Sequence, residues 1–159
     1  MSSNITTYDP ANATLLQMRA DPVNFPRLKT IPKEEAYAEM RKVVTEAYLY
    51  KGNSADSSHI NFVATSLVDE LLADTKWGAG NISLGEIRKV VKRAVLETDL
   101  PAISVATLYK VIMDYVKKEG NELDRQAKIL AKQIQASTPA VQVMMDSYAG
   151  AMANNNQVK

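Results

Sequence analysis

Cysteine is absent from this chain of 159 residues, which removes disulfides, thiolate nucleophiles and cysteine-based zinc or iron–sulfur sites together. Such usage suits a reducing compartment. Histidine occurs once, as His59, and one imidazole without thiols cannot build a zinc site of the usual kind or be oriented by a second ring. Net charge is also missing: 19 Lys and Arg stand against 18 Asp and Glu, a balance of +1. The chain has no global field to draw in nucleic acid or an anionic membrane, so any electrostatic partner must be met by a local patch. No window approaches the roughly eighteen apolar residues of a membrane span. The opening Met1-Ser2-Ser3-Asn4-Ile5-Thr6-Thr7 has no positive region leading into an apolar run, so a secretory signal is not expected and a cytoplasmic location is.

Catalytic signatures are lacking as well. Gly78 and Gly80 neither follow a strand nor carry the Gly-x-x-x-x-Gly-Lys-Ser/Thr pattern of a phosphate loop, and neither Gly-x-Ser-x-Gly nor His-Glu-x-x-His occurs. The expectation is a protein that is not an enzyme, with no catalytic residue, no cofactor, no metal and no small-molecule substrate.

What the chain does have is helical writing. Hydrophobic residues make up 46% and charged residues 23%, ordinary for a globular domain of a size able to bury its own core. The clearest stretch is Asn81 to Val95. Ser83 is followed three residues later by Glu86, the reciprocal arrangement of a capping box, and Ile82 and Ile87 flank it as a hydrophobic staple. Ile87, Val90, Val91, Ala94 and Val95 then recur at the spacing of one helical stripe, leaving Arg88, Lys89, Lys92 and Arg93 on the rest of the cylinder.

The other elements follow by the same reasoning. Asp9 and Pro10 open a short helix over 11–19, and Pro22 and Pro26 forbid its continuation, so 21–29 reads as an extended segment over the surface. Pro32 with Glu34 and Glu35 starts a long amphipathic helix that Gly52 stops. Asp56, Ser57 or Ser58 caps the next, whose Ile60, Val63, Ala64, Leu67, Val68, Leu71 and Leu72 give the strongest helical period in the chain and mark the central core element. Leu100-Pro101 ends the helix from Ser83, Ser104 caps another that Gly120 closes, and Asn121 begins a further one up to the break at Ser137-Thr138-Pro139. A last segment carries Val141, Met144, Met145, Tyr148 and Met152. No repeat and no sustained strand alternation is present. The fold class is therefore all-α: a single-domain orthogonal helical bundle of five main helices plus short terminal helices and an extended N-terminal arm. Residues 1–30 form an arm packing on the body or a partner, 31–153 the helical domain and 154–159 a polar tail.

Each candidate site has a plainer competitor. His59 reads as structural or exposed; Asp69, Glu70 and Asp74 as the wet face of the central helix; and Tyr37, Tyr48, Tyr50, Tyr109, Tyr115 and Tyr148 as core rims rather than base-stacking platforms. The basic face is the one functional signal. Between Ser83 and Leu96 stand four basic residues against one acid, with Arg88/Lys92 and Lys89/Arg93 each one turn apart, able to meet successive phosphates. Its competitor is ordinary snorkelling of Lys and Arg beside an apolar stripe. The next helix adds Lys110, Lys117 and Lys118, but Thr98 to Ile103 is longer than the turn of a helix-turn-helix.

Leu67-Val68-Asp69-Glu70-Leu71-Leu72, Ile82-Ser83-Leu84-Gly85-Glu86-Ile87, Ile103-Ser104-Val105-Ala106-Thr107-Leu108 and Tyr115 together resemble small all-helical proteins, of no assigned activity, from phages and mobile elements of Bacteroides-type bacteria. About a third of the chain carries the resemblance. Gly85 inside the capping box and the long terminal extensions depart from it. The resemblance implies a mobile-element setting, in which DNA-replication accessories and virion components are both common, and it supplies no catalytic residue. The leading expectation is a non-enzymatic helical adaptor acting on or near DNA, with Arg88, Lys89, Lys92, Arg93, Lys110 and Lys117 on the nucleic acid. The alternative is a structural assembly protein, such as a virion component, docking on a protein partner or a second copy through Leu15, Leu16 and Phe25 of the arm and Met144, Met145 and Met152 near the other end.

Overall fold

The computed structural model describes residues 8–137, with side chains to 133. Five α-helices follow in order: α1 (Leu15–Ala20), α2 (Lys33–Lys51), α3 (Ser57–Ala73), α4 (Leu84–Glu97) and α5 (Val105–Ser137). Short 3-10 turns cover Pro10–Asn12, Leu28–Thr30 and Ala79–Asn81. No strand occurs among the described residues, so the chain is all-α. An isolated antiparallel bridge joins Arg27 to Ser83. No described helix is long and apolar enough to cross a membrane.

Local chemistry sets the boundaries. α2 begins after Pro32 and ends at Gly52, whose φ of 79° is left-handed, with the Gly52 N–H on the carbonyls of Tyr48 and Leu49. Asp56 caps α3 by accepting from the His59 N–H at 2.8 Å. Ser83 and Glu86 form the capping box of α4, each side chain bonded to the other's backbone N–H at 3.2 and 2.9 Å. Ser104 starts α5 by accepting from Thr107 at 3.2 Å.

The core is one cluster. α3 contributes Val63, Ala64, Leu67, Val68 and Leu71, and α2 contributes Ala36, Met40, Val43, Val44, Ala47 and Tyr48, with Ile87, Val90 and Val91 from α4 and Leu108, Ile112, Met113, Tyr115 and Val116 from α5. α2 packs against both α3 and α4, and α5 closes on α1, α3 and α4.

Three expectations need correction. The helix foreseen over 11–19 is divided: Asp9 caps only the turn Pro10–Asn12, Ala13 is extended with ψ 143°, and Thr14 starts α1 afresh. Thr14 and Gln17 form a complete capping box, and buried Ala13 is held extended ahead of it, so the chain gains a second start at the cost of one long helix. The segment after α1 is turned before it is extended. Asp21 accepts from the Asn24 side chain at 2.8 Å and its carbonyl from the Phe25 N–H at 2.9 Å, the local bonding that favours Asp in turns. Finally, Gly120 does not close a helix: α5 runs straight through Gly120-Asn121 to Ser137. Among the described glycines only Gly52 and Gly78 take positive φ. A glycine inside a helix weakens it by only about 1 kcal/mol, less than the surrounding packing supplies. The segment foreseen over 139–152, the tail over 154–159, and Met144, Met145 and Met152 lie outside the described residues.

Gly85 and Gly120 form a natural pair for measurement. A Cβ on Gly85 would sit 2.6 Å from Cδ1 of Phe25, whereas one on Gly120 would meet nothing within 4 Å. Helix propensity favours alanine at both. Gly120→Ala is expected to raise stability by about 0.5–1 kcal/mol, while Gly85→Ala lowers it by about 1–3 kcal/mol through overpacking against the ring. Urea midpoints at constant slope decide the matter: a stabilising Gly85→Ala would mean that Phe25 does not hold its place over α4.

Candidate functional site

α4 lies between α2 and α5, and this placement divides the basic row. Arg88 reaches α2, its Nε donating to Oε1 of Glu46 at 2.7 Å and its Nη2 bonding the other carboxylate oxygen. One turn on, the Lys92 ammonium stands 5.6 Å from the Tyr50 ring centroid. Arg93 points the other way, to Glu119 of α5 at 3.1 Å. Lys89 is exposed and makes no ion pair among the described residues. On α5, Lys110 pairs with Asp114 at 3.2 Å, and Lys117 stands 5.5 Å from the centroid of the Trp77 ring.

Five of the six sequence-derived cations thus fall into three places, and Lys89 stands exposed apart from them. Arg88 and Lys92 lie on the α2 side. Arg93 and Lys110, joined by Lys118, line an open cleft of about 720 Å³ between α4 and α5, floored by Val90, Ala94 and Val111. Glu97, Asp114 and Glu119 share that cleft, so its charge is mixed. Lys117 leaves the others for the α3–α4 connection.

The arm residues turn inward. Leu15 is half-buried and packs against the core, Leu16 is half-buried, and the Phe25 ring lies over Gly85. Phe25 also borders a smaller groove of about 310 Å³ with Ile31, Val43 and Leu84.

One constellation has no counterpart in the sequence expectations. Arg19 of α1, only 2% exposed, forms a 2.8 Å ion pair with Glu86, which is 0% exposed. Tyr115 donates its hydroxyl hydrogen to the same Glu86 oxygen at 2.5 Å. Arg19 also donates to the Gly120 carbonyl at 3.2 Å and to Asp124 at 2.6 Å. The second Glu86 oxygen accepts from the Ser83 N–H and hydroxyl at 2.9 and 3.0 Å. Every lone-pair direction of the carboxylate is used, as a buried charge requires. Arg27 completes the group less well: its Nη1 lies 3.8 Å from Glu86 and is the one buried side-chain polar atom without a hydrogen-bond partner among the described residues. Burial opposes the charge on Arg19, but the bonds to Glu86 and Asp124 outweigh it and raise its pKa. Burial, and then the Glu86 charge and hydrogen bond, push the Tyr115 phenol far above its ordinary value. Neither group exchanges a proton near neutrality, and the cluster fixes the arm to α4 and α5 rather than offering an acid or base.

Two further side-chain networks join elements of the fold in the same way. Tyr48 donates to the Ile103 carbonyl at 2.9 Å and meets His59 Nε2 at 2.6 Å, an arrangement in which the imidazole N–H donates to the phenol oxygen. Asp69 accepts from Tyr37 at 2.6 Å and pairs with Lys33 at 3.4 Å. Tyr37 is the first cause of its lowered pKa; burial opposes the shift and Lys33 adds to it. No group of three or more metal-ligating side chains converges among the described residues.

The sequence signal for the Arg19 cluster is thin. Glu86 is legible as a capping residue, but nothing in local spacing ties it to Arg19, 67 positions away. No protein-family model, curated protein or solved structure matches this chain.

Proposed function

We propose that this protein is a non-enzymatic helical adaptor acting on or near DNA, in the setting of a phage or mobile element that its sequence resemblance implies. The observation that supports the reading is the convergence of Arg93, Lys110 and Lys118 on one open cleft, with Lys89, which makes no ion pair among the described residues, exposed on α4. The acids in that cleft do not block it. Ion pairs at solvent-exposed positions contribute about 0–1 kcal/mol, so a backbone phosphate can take the place of Glu119 or Asp114 at small cost. Duplex DNA binding measured at two salt concentrations is the test. The expected result is binding at low salt that falls steeply as salt rises, with a logarithmic slope lowered by about 0.9 for each phosphate contact removed. The variant Arg93→Ala/Lys110→Ala/Lys118→Ala should lose most of that slope. No binding at low salt, or binding indifferent to the three alanines, would end this reading.

A second reading, a structural assembly protein, rests on the far part of α5. From Lys128 to Gln133 no residue is buried, while Ile129 is 45% exposed and Leu130 and Ala131 are half-exposed. A helix with unpartnered apolar positions suits docking. Light scattering addresses it: a monodisperse monomer at high concentration counts against assembly.

A further inference from the structure

Trp77 is the only tryptophan of the chain, and the fold leaves it in the open. It lies in the connection from α3 to α4, 44% exposed, where Asp74 accepts from the Lys76 and Trp77 backbone N–H groups at 3.3 Å each and from the Ala79 N–H at 3.1 Å. Gly78 follows in the left-handed region at φ 70°. The loop is therefore tied down while its largest side chain faces water, the reverse of what burial of an indole would select. Two ammonium groups approach the ring, Lys76 at 5.3 Å from the centroid and Lys117, from α5, at 5.5 Å. Lys76 and Lys117 make no ion pair among the described residues. Beside the ring a small notch of about 30 Å³ is lined by Asn81 and Asn121 together with the paired charges Arg19 and Asp124. It is too small for a base but sufficient for one polar edge group or a water.

We infer that Trp77 is a stacking platform for an unpaired base of a single-stranded nucleic acid, with Lys76 and Lys117 meeting the flanking phosphates and Asn81 and Asn121 beside the base edge. The chemistry is that of sequence-tolerant single-strand recognition, an aromatic face with cations spaced along a backbone. A base offers the indole a larger contact than an exposed ammonium does, and lysine tips displaced from the ring move outward to phosphate. The inference deepens the nucleic-acid reading and rests on it, but uses a surface separate from the α4–α5 cleft. It gives Lys117, apart from the other cations, a role of its own.

The test uses the full chain and an oligothymidylate of about a dozen nucleotides, with an oligouridylate of equal length to distinguish a DNA source from an RNA one. The single tryptophan makes its own fluorescence a local reporter. Saturable quenching is expected, at an affinity that falls with salt. By anisotropy of a labelled strand, Trp77→Ala should weaken binding about thirtyfold, a middle value for the loss of one stacked base, while Trp77→Tyr keeps most of it. Lys76→Ala and Lys117→Ala should each lower the salt slope by about 0.7. Because Trp77 is half in solvent, these variants are expected to retain the wild-type circular dichroism. An abasic strand of the same length should bind more weakly and leave the fluorescence unchanged. Equal binding of the abasic strand, undiminished binding by Trp77→Ala, or strand binding that leaves the tryptophan unquenched would overturn the inference. Duplex binding that depends on Arg93, Lys110 and Lys118, with the oligothymidylate and oligouridylate strands neither bound nor quenching Trp77, would overturn it too, and would leave the adaptor reading standing.

Discussion

Replacing Glu86 by alanine is expected to remove about 3–5 kcal/mol of stability, the cost of stripping one partner from a buried ion pair. The same substitution removes the acceptor of the α4 capping box, an interaction of about 1 kcal/mol. Arg19, at 2% exposure, is then left with Asp124, the Gly120 carbonyl and a long 3.4 Å bond to the Tyr115 oxygen, and the Tyr115 hydroxyl hydrogen loses its acceptor. Against a total of about 5–15 kcal/mol for an ordinary domain, this is a large share. Glu86→Gln removes the charge while keeping the shape. Its one amide oxygen can fill either the Ser83 side or the Arg19–Tyr115 side, since these use different carboxylate oxygens, and the amide NH2 meets donors at the other. The double variant Arg19→Met/Glu86→Gln is expected to be less destabilised than the two single changes taken together, because no uncompensated charge remains inside. Urea denaturation of the four proteins gives the coupling. If Glu86→Ala costs less than about 1 kcal/mol, the arm is not anchored by this pair.

The second large effect belongs to the shared core. Leu67 on α3 is 0% exposed, and Leu67→Ala is expected to cost about 2–5 kcal/mol through lost burial and the cavity left behind. Phe62, on the same helix and 62% exposed, is the internal control. Phe62→Ala removes a larger side chain yet should change stability by no more than about 0.5 kcal/mol. Equal losses at the two positions would mean that α3 presents a different face to the core.

These two predictions differ in how far the sequence could carry them. Leu67 is legible from periodicity alone, because Val63, Ala64, Leu67, Val68 and Leu71 recur at helical spacing and all five are buried. The start at Ser83 is equally legible, since a capping box is a relation between residues three apart. The Arg19–Glu86 pair is not, because its partners are far apart in the chain and each looks locally ordinary. Arg19 reads as the polar residue of a short apolar helix and Glu86 as a cap. Continuity at Gly120 was hidden for the opposite reason. Glycine is a strong local stop signal, and only the packing of α1 and α4 along α5 overrides it. The basic row was visible as a sequence pattern, while its division among Glu46, Tyr50 and Glu119 depended on which helices flank α4.

The bond from Arg19 to Asp124 joins residues 105 positions apart, and during synthesis that separation is also an interval of time. At about 5–20 residues per second, Arg19 is made roughly 5–20 s before Asp124. α1 is thus the first of the described helices to be made, while its partners on α4 and α5 are made last among them. Glu86, 67 positions on, also comes before Asp124, so burial of the Arg19–Glu86 pair with all its partners waits on the last of the three to be made.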